Sequence, residues 1–209
     1  MDWVTQDDCD LSRFLAVSRV IDHDTPAVRE MARELAQAAG PRGDEAVAER
    51  CFLFVRDRIR HSSDHHLDPV TLKASEVLEH GHGFCYAKSH LLCALLRANG
   101  IPAGLCYQRL RFDTIQSPFG LHGFNAVFLP VHGWYRIDAR GNKAGVDARF
   151  APPFERLAYS PNSEGEADIP GIFTEPLPFV VDVLKRCRTW EEVLIRPPDL
   201  RPEEKNEGS

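Results

Sequence analysis

Residues 81–103 read GHGFCYAKSHLLCALLRANGIPA, and no other stretch restricts the chain as strongly. A glycine-punctuated turn delivers Cys85 to the first turn of a helix. Ala87, Leu91, Ala94, Leu95 and Ala98 recur at helical spacing, with Leu92 and Leu96 widening the face; strand alternation does not fit them. Asn99-Gly100 supplies the stop, and Pro102 lies just beyond it. A cysteine at a helix N-terminus sits where unpaired N–H groups and the macrodipole favour negative charge. A thiolate is such a charge, so the position favours the reactive form of the thiol. The competing reading is a buried structural cysteine, the role of most free cysteines.

Partners for this thiol lie downstream. LHGFNAVFL at 121–129 suits a strand, because Phe124, Val127 and Phe128 fit a pleated, buried surface. Pro130 to Gly133 break it, and WYRIDA at 134–139 reads as the returning strand of a hairpin. His122 and Asp138 both have even numbers. Any register pairing even with even puts them on one face, and a one-residue slip separates them. In the productive register they are opposite or diagonal neighbours, close enough for Asp138 to accept from a ring N–H of His122. An aspartate that holds an imidazole, which in turn serves a thiol, is the nucleophile–base–orienter arrangement. Taken singly, a histidine at a strand start or an aspartate at a strand end is commonplace.

These blocks resemble the transglutaminase-like superfamily, which shares the papain-like cysteine-hydrolase core. GFC with its helix to LLRANGIPA is similar to the family's nucleophile block, HGFNAVFL to its histidine strand and GWYRIDARGN to its aspartate strand. The likeness spans 81–142 and runs more weakly back to FLFVRDRIRH. It implies Cys85 as nucleophile, His122 as base and Asp138 as orienter. Phe124 stands where the family often has Trp, Gly123 where it often has Ala, and Ala139 where Pro commonly follows the aspartate.

The remainder of the chain is read for organisation. Thr25-Pro26 starts a helix that runs to Gly40, and a second spans about 44–60 with Ala48, Cys51, Phe52, Val55 and Ile59 on one face. Residues 14–21 suggest a strand or irregular segment, 61–73 a loop, and Ser75 the cap of a short helix. A strand over 103–112 precedes the hairpin. Residues 140–178, rich in Gly and Pro, wrap the sheet; helices follow near 179–186 and around Glu191. Helices first and consecutive strands afterwards give an α+β fold, with helices packed on an antiparallel sheet and Cys85 at a helix N-terminus. The 209 residues suit one domain over 1–196, with N-terminal helices at about 25–60 and a core at about 70–142; a disordered tail, 197–209, is expected from PPDLRPEEKNEGS.

Net charge of −6 disfavours nucleic-acid and anionic-membrane partners. The start, MDWVTQDDCD, lacks a secretion signal's basic flank and apolar core. No apolar run is long enough to span a bilayer. Cys9, Cys51, Cys85, Cys93, Cys106 and Cys187 are scattered without short paired spacing and read as reduced thiols of a cytoplasmic protein. Cys93 and Cys106 suit core packing. His61, His65, His66, His80 and His82, with Asp64 and Asp68, form a rival cluster, but their spacing matches no tight metal pattern, so no metal and no cofactor is expected. His82 is placed at the mouth of the Cys85 site, His90 pointing away from it, and Lys88 and Arg97 on the solvated face of the same helix.

The expected chemistry is acyl transfer on an amide through a Cys85 thioester. The substrate is a peptide or protein amide, and hydrolysis of peptide or isopeptide bonds leads, because the chain has little room beyond the core. Transamidation or deamidation of glutamine, and a binding module that keeps the fold without turnover, are the alternatives. The backbone N–H of Cys85 is the first oxyanion donor; the second is open between side chains of 58–66 and Asn125, whose odd position faces away from His122.

Overall fold

The computed structural model describes residues 10–112 and 118–200. A 3-10 turn, Leu11–Leu15, leads into α1, Pro26–Ala39, with the proline ring in its first turn where no N–H is needed. Helix α2, Asp44–Arg58, buries Ala48, Cys51, Phe52 and Val55 along one stripe. Two short strands, β1 (Arg60–His61) and β2 (His82–Gly83), pair in parallel. Between them lie the one-turn α3, Ser62–His65, and α4, Ala74–His80. Then comes α5, Cys85–Ala98. The main sheet is antiparallel with order β5-β4-β3-β6: β3 is Ala103–Arg111, β4 Phe119–Leu129, β5 Gly133–Ile137 and β6 Ala167–Phe173. Helices α6, Pro178–Arg186, and α7, Trp190–Ile195, follow. This is the α+β architecture with helices on an antiparallel sheet.

Helix α5 is the axis of the molecule. Every residue from Cys85 to Arg97 is buried, because α1, α2 and α4 pack around it and the sheet closes the remaining side. Odd-numbered residues of β4 face it: the Asn125 side-chain amide donates to the Ser89 carbonyl (2.9 Å) and to that of Gly104 (3.2 Å). Lys88 and Arg97 therefore do not form a solvated face. Lys88, 1% exposed, donates its ammonium to the carbonyl of Ile59 just past α2. That carbonyl lies where a helix end leaves acceptors unpaired. Arg97 donates to three carbonyls, Ala103 (3.0 Å), Ala16 (2.7 Å) and Thr174 (2.7 Å). Long apolar stems let both cations reach across the core.

Several local expectations are corrected. Residues 14–21 take the irregular alternative rather than a strand. The 61–73 loop contains α3. Ser75 does not cap α4; its N–H and hydroxyl both donate to the Asp22 carboxylate, 3.0 and 2.6 Å away. The wrapping segment supplies β6, whose sequence ADIPGIF carries a proline and a glycine. A strand so interrupted survives at a sheet edge, where one side needs no ladder. Residues 197–200, read as the start of a disordered tail, are bonded to the sheet: the Leu121 N–H donates to the Pro198 carbonyl at 2.7 Å. The Arg109 guanidinium holds the Asp199 carboxylate at 2.7 and 2.9 Å. The rest of the expected tail, 201–209, lies outside the described residues.

Candidate active site

Three elements converge on one cavity. The β1–β2 pair sets His61 beside Gly83, so the chain enters α5 next to the α3 loop. Cys85 is the first residue of α5 and is 8% exposed. Strand β4 passes close by. A Cβ on Gly123 would lie only 3.1 Å from the Tyr86 Cα, so glycine permits this approach. The Gly123 N–H then faces the Cys85 sulfur at 3.5 Å.

His122 and Asp138 meet as the even register requires. Pairing of β4 with β5 runs from Leu129↔Gly133 to Asn125↔Ile137, so Asp138 follows the last pair and is diagonal to His122. His122 Nε2 lies 2.7 Å from Asp138 Oδ2. Asp138, fully buried, also accepts from the backbone N–H of Arg140 and of Ala158, each at 3.0 Å. Burial alone would push its carboxyl up, but the imidazolium of His122 and these donors outweigh it and hold it low. Burial would likewise push the His122 imidazole down; the Asp138 carboxylate, assisted by a hydrogen bond with Cys85, wins and raises it to about 10. His122 is thus held as imidazolium beside the sulfur. Phe124 stacks parallel to its ring at 6.0 Å and Tyr159 meets it edge-on at 5.0 Å. The structure brings Cys85, His122 and Asp138 together.

The cavity over Cys85 has a volume of about 240 Å³. One wall is polar. Asp64 on α3 accepts from Arg140 at 2.9 Å and from Lys143 at 2.8 Å. These cations keep the Asp64 carboxyl low despite its partial burial. The other wall is apolar and includes Phe112, Leu121, Val193, Leu194 and Pro197. His61 lines the cavity with its ring edge-on to Phe84, 5.7 Å away, and its Nδ1 bonded to the Ser63 hydroxyl at 3.0 Å. Burial, then the Arg140 charge, keep its imidazole well below the ordinary histidine range, so the ring is neutral. His82 is not at this mouth. It hydrogen-bonds Ser62 at 3.0 Å and borders a separate groove with Arg58, Arg60 and Asp68. The signal that singles out His61 is its pairing with Gly83, a contact across 22 positions that a linear reading does not reveal.

The other histidines and thiols have separate fates. His66 stacks on Trp190 at 4.4 Å. Among the described residues no three His, Cys, Asp or Glu side chains are grouped to hold a metal ion. Cys51, Cys93 and Cys106 are buried in the core, and burial pushes the Cys51 and Cys106 thiols up to about 12. His90 is fully buried, with Nδ1 2.8 Å from the Leu72 carbonyl. Burial overcomes that contact and lowers its imidazole from 6.5 to about 4. As pH falls, the unfolded chain takes up this proton first, so stability is lost from about 6.5 down to about 4. At about 1.4 kcal/mol per unit, the loss amounts to about 3 kcal/mol. Urea melts at neutral pH and at about pH 4.5 should show it, and His90→Gln should remove most of it. Equal acid losses in both proteins would place the sensitivity elsewhere.

The architecture is an α+β core that sets a helix-start cysteine against a hairpin bearing histidine and aspartate. The profile described as the Transglutaminase-like superfamily matches residues 29–139, and the chain belongs to that superfamily. This membership supports a thiol-dependent enzymatic core. No curated protein matches the chain. Among solved structures, it is similar to a candidate cysteine protease from Cytophaga hutchinsonii (20% identity, TM-score 0.47, covering 64% of this chain and 43% of that one). It is also similar to the periplasmic domain of TgpA from Pseudomonas aeruginosa (20% identity, TM-score 0.47, covering 64% and 48%). The chain matches less than half the length of either. No helix among the described residues is long and apolar enough to cross a membrane.

Proposed function

We propose that the protein is a cysteine acyl-transfer enzyme that hydrolyses peptide or isopeptide bonds, with Cys85 as nucleophile, His122 as acid–base and Asp138 as orienter. The observation that carries this reading is the 2.7 Å His122–Asp138 contact on a ring that lines one cavity with the helix-start thiol. The charged His122 ring and Cys85 line one cavity. The Cys85 sulfur attacks the amide carbonyl, His122 gives its proton to the leaving amine, and the thioester is resolved when His122 takes a proton from water. The developing oxyanion is met by the Cys85 N–H, the first donor of α5. The second donor in this reading is neutral His61, within the 58–66 segment, in the tautomer whose Nδ1 accepts from the Ser63 hydroxyl and whose Nε2 carries the proton. Water is the acceptor in this reading. The free thiols Cys51, Cys85, Cys93, Cys106 and Cys187 among the described residues support a cytoplasmic setting.

Mild iodoacetamide treatment with peptide mapping tests this assignment. Cys85 should be alkylated ahead of Cys51, Cys93, Cys106 and Cys187, and His122→Ala should slow the reaction at Cys85 alone. Preferential labelling of Cys93 or Cys106 would sink it.

A further inference from the structure

The outer edge of β4 beside the cavity carries an interaction that acyl transfer does not use. Strand β5 pairs with β4 only as far as Asn125, so Leu121 and Gly123 present their backbone groups beyond the hairpin. The Gly123 N–H is turned to the Cys85 sulfur and the Leu121 N–H to the Pro198 carbonyl. N–H groups two residues apart on one strand edge are separated by about 7 Å. Pro198 therefore lies about two residues' length from the nucleophile, and its neighbour Pro197 lines the same cavity.

The chemistry of this edge is asymmetric. In an antiparallel hydrogen-bonded pair, each residue gives one N–H and accepts one. At Leu121 the carbonyl is already taken by the Tyr86 hydroxyl. The edge thus offers a donor beside an acceptor that is already engaged. A residue docking opposite Leu121 needs a carbonyl, and any N–H it brings must share the Leu121 oxygen with the Tyr86 hydroxyl, which weakens its pairing in a buried setting. Proline alone has a carbonyl and no N–H, and the chain places Pro198 there. The Arg109–Asp199 pair tethers the next residue, and α7 is anchored upstream by the Asp68 carboxylate, which accepts the Trp190 N–H at 2.8 Å.

We propose that the Leu121 edge is a proline-selective peptide subsite of the Cys85 cavity, and that residues 197–199 occupy it as a displaceable stand-in for an extended peptide. The proposal rests on the reading of Cys85 as nucleophile for its catalytic meaning. Its physical content, a proline-filled edge, stands apart from that reading.

Two measurements decide it. Asp199→Ala removes the tether while leaving Arg109 its bond to the Gly165 carbonyl, 2.7 Å long. Amide exchange at Leu121, followed by NMR, should accelerate about tenfold in this variant, the loss of one charged hydrogen-bonded pair. Adding the synthetic peptide Arg-Pro-Pro-Asp-Leu should restore protection and slow alkylation of Cys85 by a bulky maleimide. The same peptide with alanine at its second proline should be about tenfold weaker, because its N–H must share the Leu121 oxygen. Unchanged Leu121 exchange in Asp199→Ala, or equal protection by both peptides, overturns the proposal. Failure of Cys85 to react selectively with maleimide would instead count against the nucleophile, while Leu121 exchange would still judge the subsite.

Discussion

Cys85→Ala should remove turnover of every peptide the parent protein cleaves, a fall of about 10⁶-fold in kcat, with only oxyanion donors and binding left to act. The protein should fold normally. The change replaces a thiol by a hydrogen, and the sulfur's contact with the Gly123 N–H is a weak one at 3.5 Å. A stability cost of about 1 kcal/mol or less is expected. Adding His122→Ala to this variant should scarcely lower the rate further, since residues that act as a unit are strongly non-additive. Steady-state assays on a peptide and isopeptide panel, with urea melts alongside, check both statements. A folded Cys85→Ala protein that turns over substrate at the parent rate would end the thiol mechanism.

Asp138→Asn should be damaging in two ways. Three donors converge on the carboxylate: the His122 ring and the N–H groups of Arg140 and Ala158. An amide there turns a donor toward donors and removes the counter-charge of a buried imidazolium, a change that costs about 3–5 kcal/mol. The freed imidazole can also adopt the wrong tautomer, which in the serine-protease template costs about 10⁴ in kcat. The stability deficit should depend on pH in a defined direction. The folded imidazole is raised to about 10, so its contribution is complete below its ordinary value of 6.5 and is lost as pH rises through about 10. The Asp138 carboxyl is lowered, so its contribution is present above the ordinary value of 3.8 and is lost as pH falls through the folded value. Parent and variant should therefore differ most between about pH 4 and 6.5 and converge toward both extremes. A constant difference across pH would mean that the pair is not charged in the native protein.

What was legible in the chain follows from the range of the interactions concerned. Cys85 at the start of α5 is written locally, in glycines before it and helical spacing after it. His122 and Asp138 are near neighbours joined by a short turn, and parity alone restricts their faces. Lys88 and Arg97 looked solvated because charge on a helix ordinarily faces water; their partners, Ile59, Ala16 and Thr174, are carbonyls that no local pattern points to. Strand β6 was hidden by the proline and glycine that an edge strand tolerates. Residues 197–199 were hidden by composition, since Pro and Asp read as solvated tail until Leu121 and Arg109 are seen to receive them. His82 rather than His61 was placed at the mouth because both belong to one histidine-rich stretch; the pairing of β1 with β2 sets His61 beside Gly83, and it is His61 that lines the cavity.

The burial of α5 on every side divides the molecule into a part that packing constrains tightly and a part that it leaves freer. A helix whose lysine and arginine are committed to carbonyls of distant segments has no surface on which substitutions accumulate neutrally. Cys85, the proposed nucleophile, inherits that immobility, which suits a reacting atom that must be held within a fraction of an ångström. The rim of the cavity, where the proposed substrate would be recognised, is built by contrast from a one-turn helix, a six-residue helix and a proline-bearing segment. New substrate preferences are therefore to be sought by diversifying 62–66 and 190–199, a small and contiguous design space, while libraries that touch 85–97 will mostly return unfolded protein.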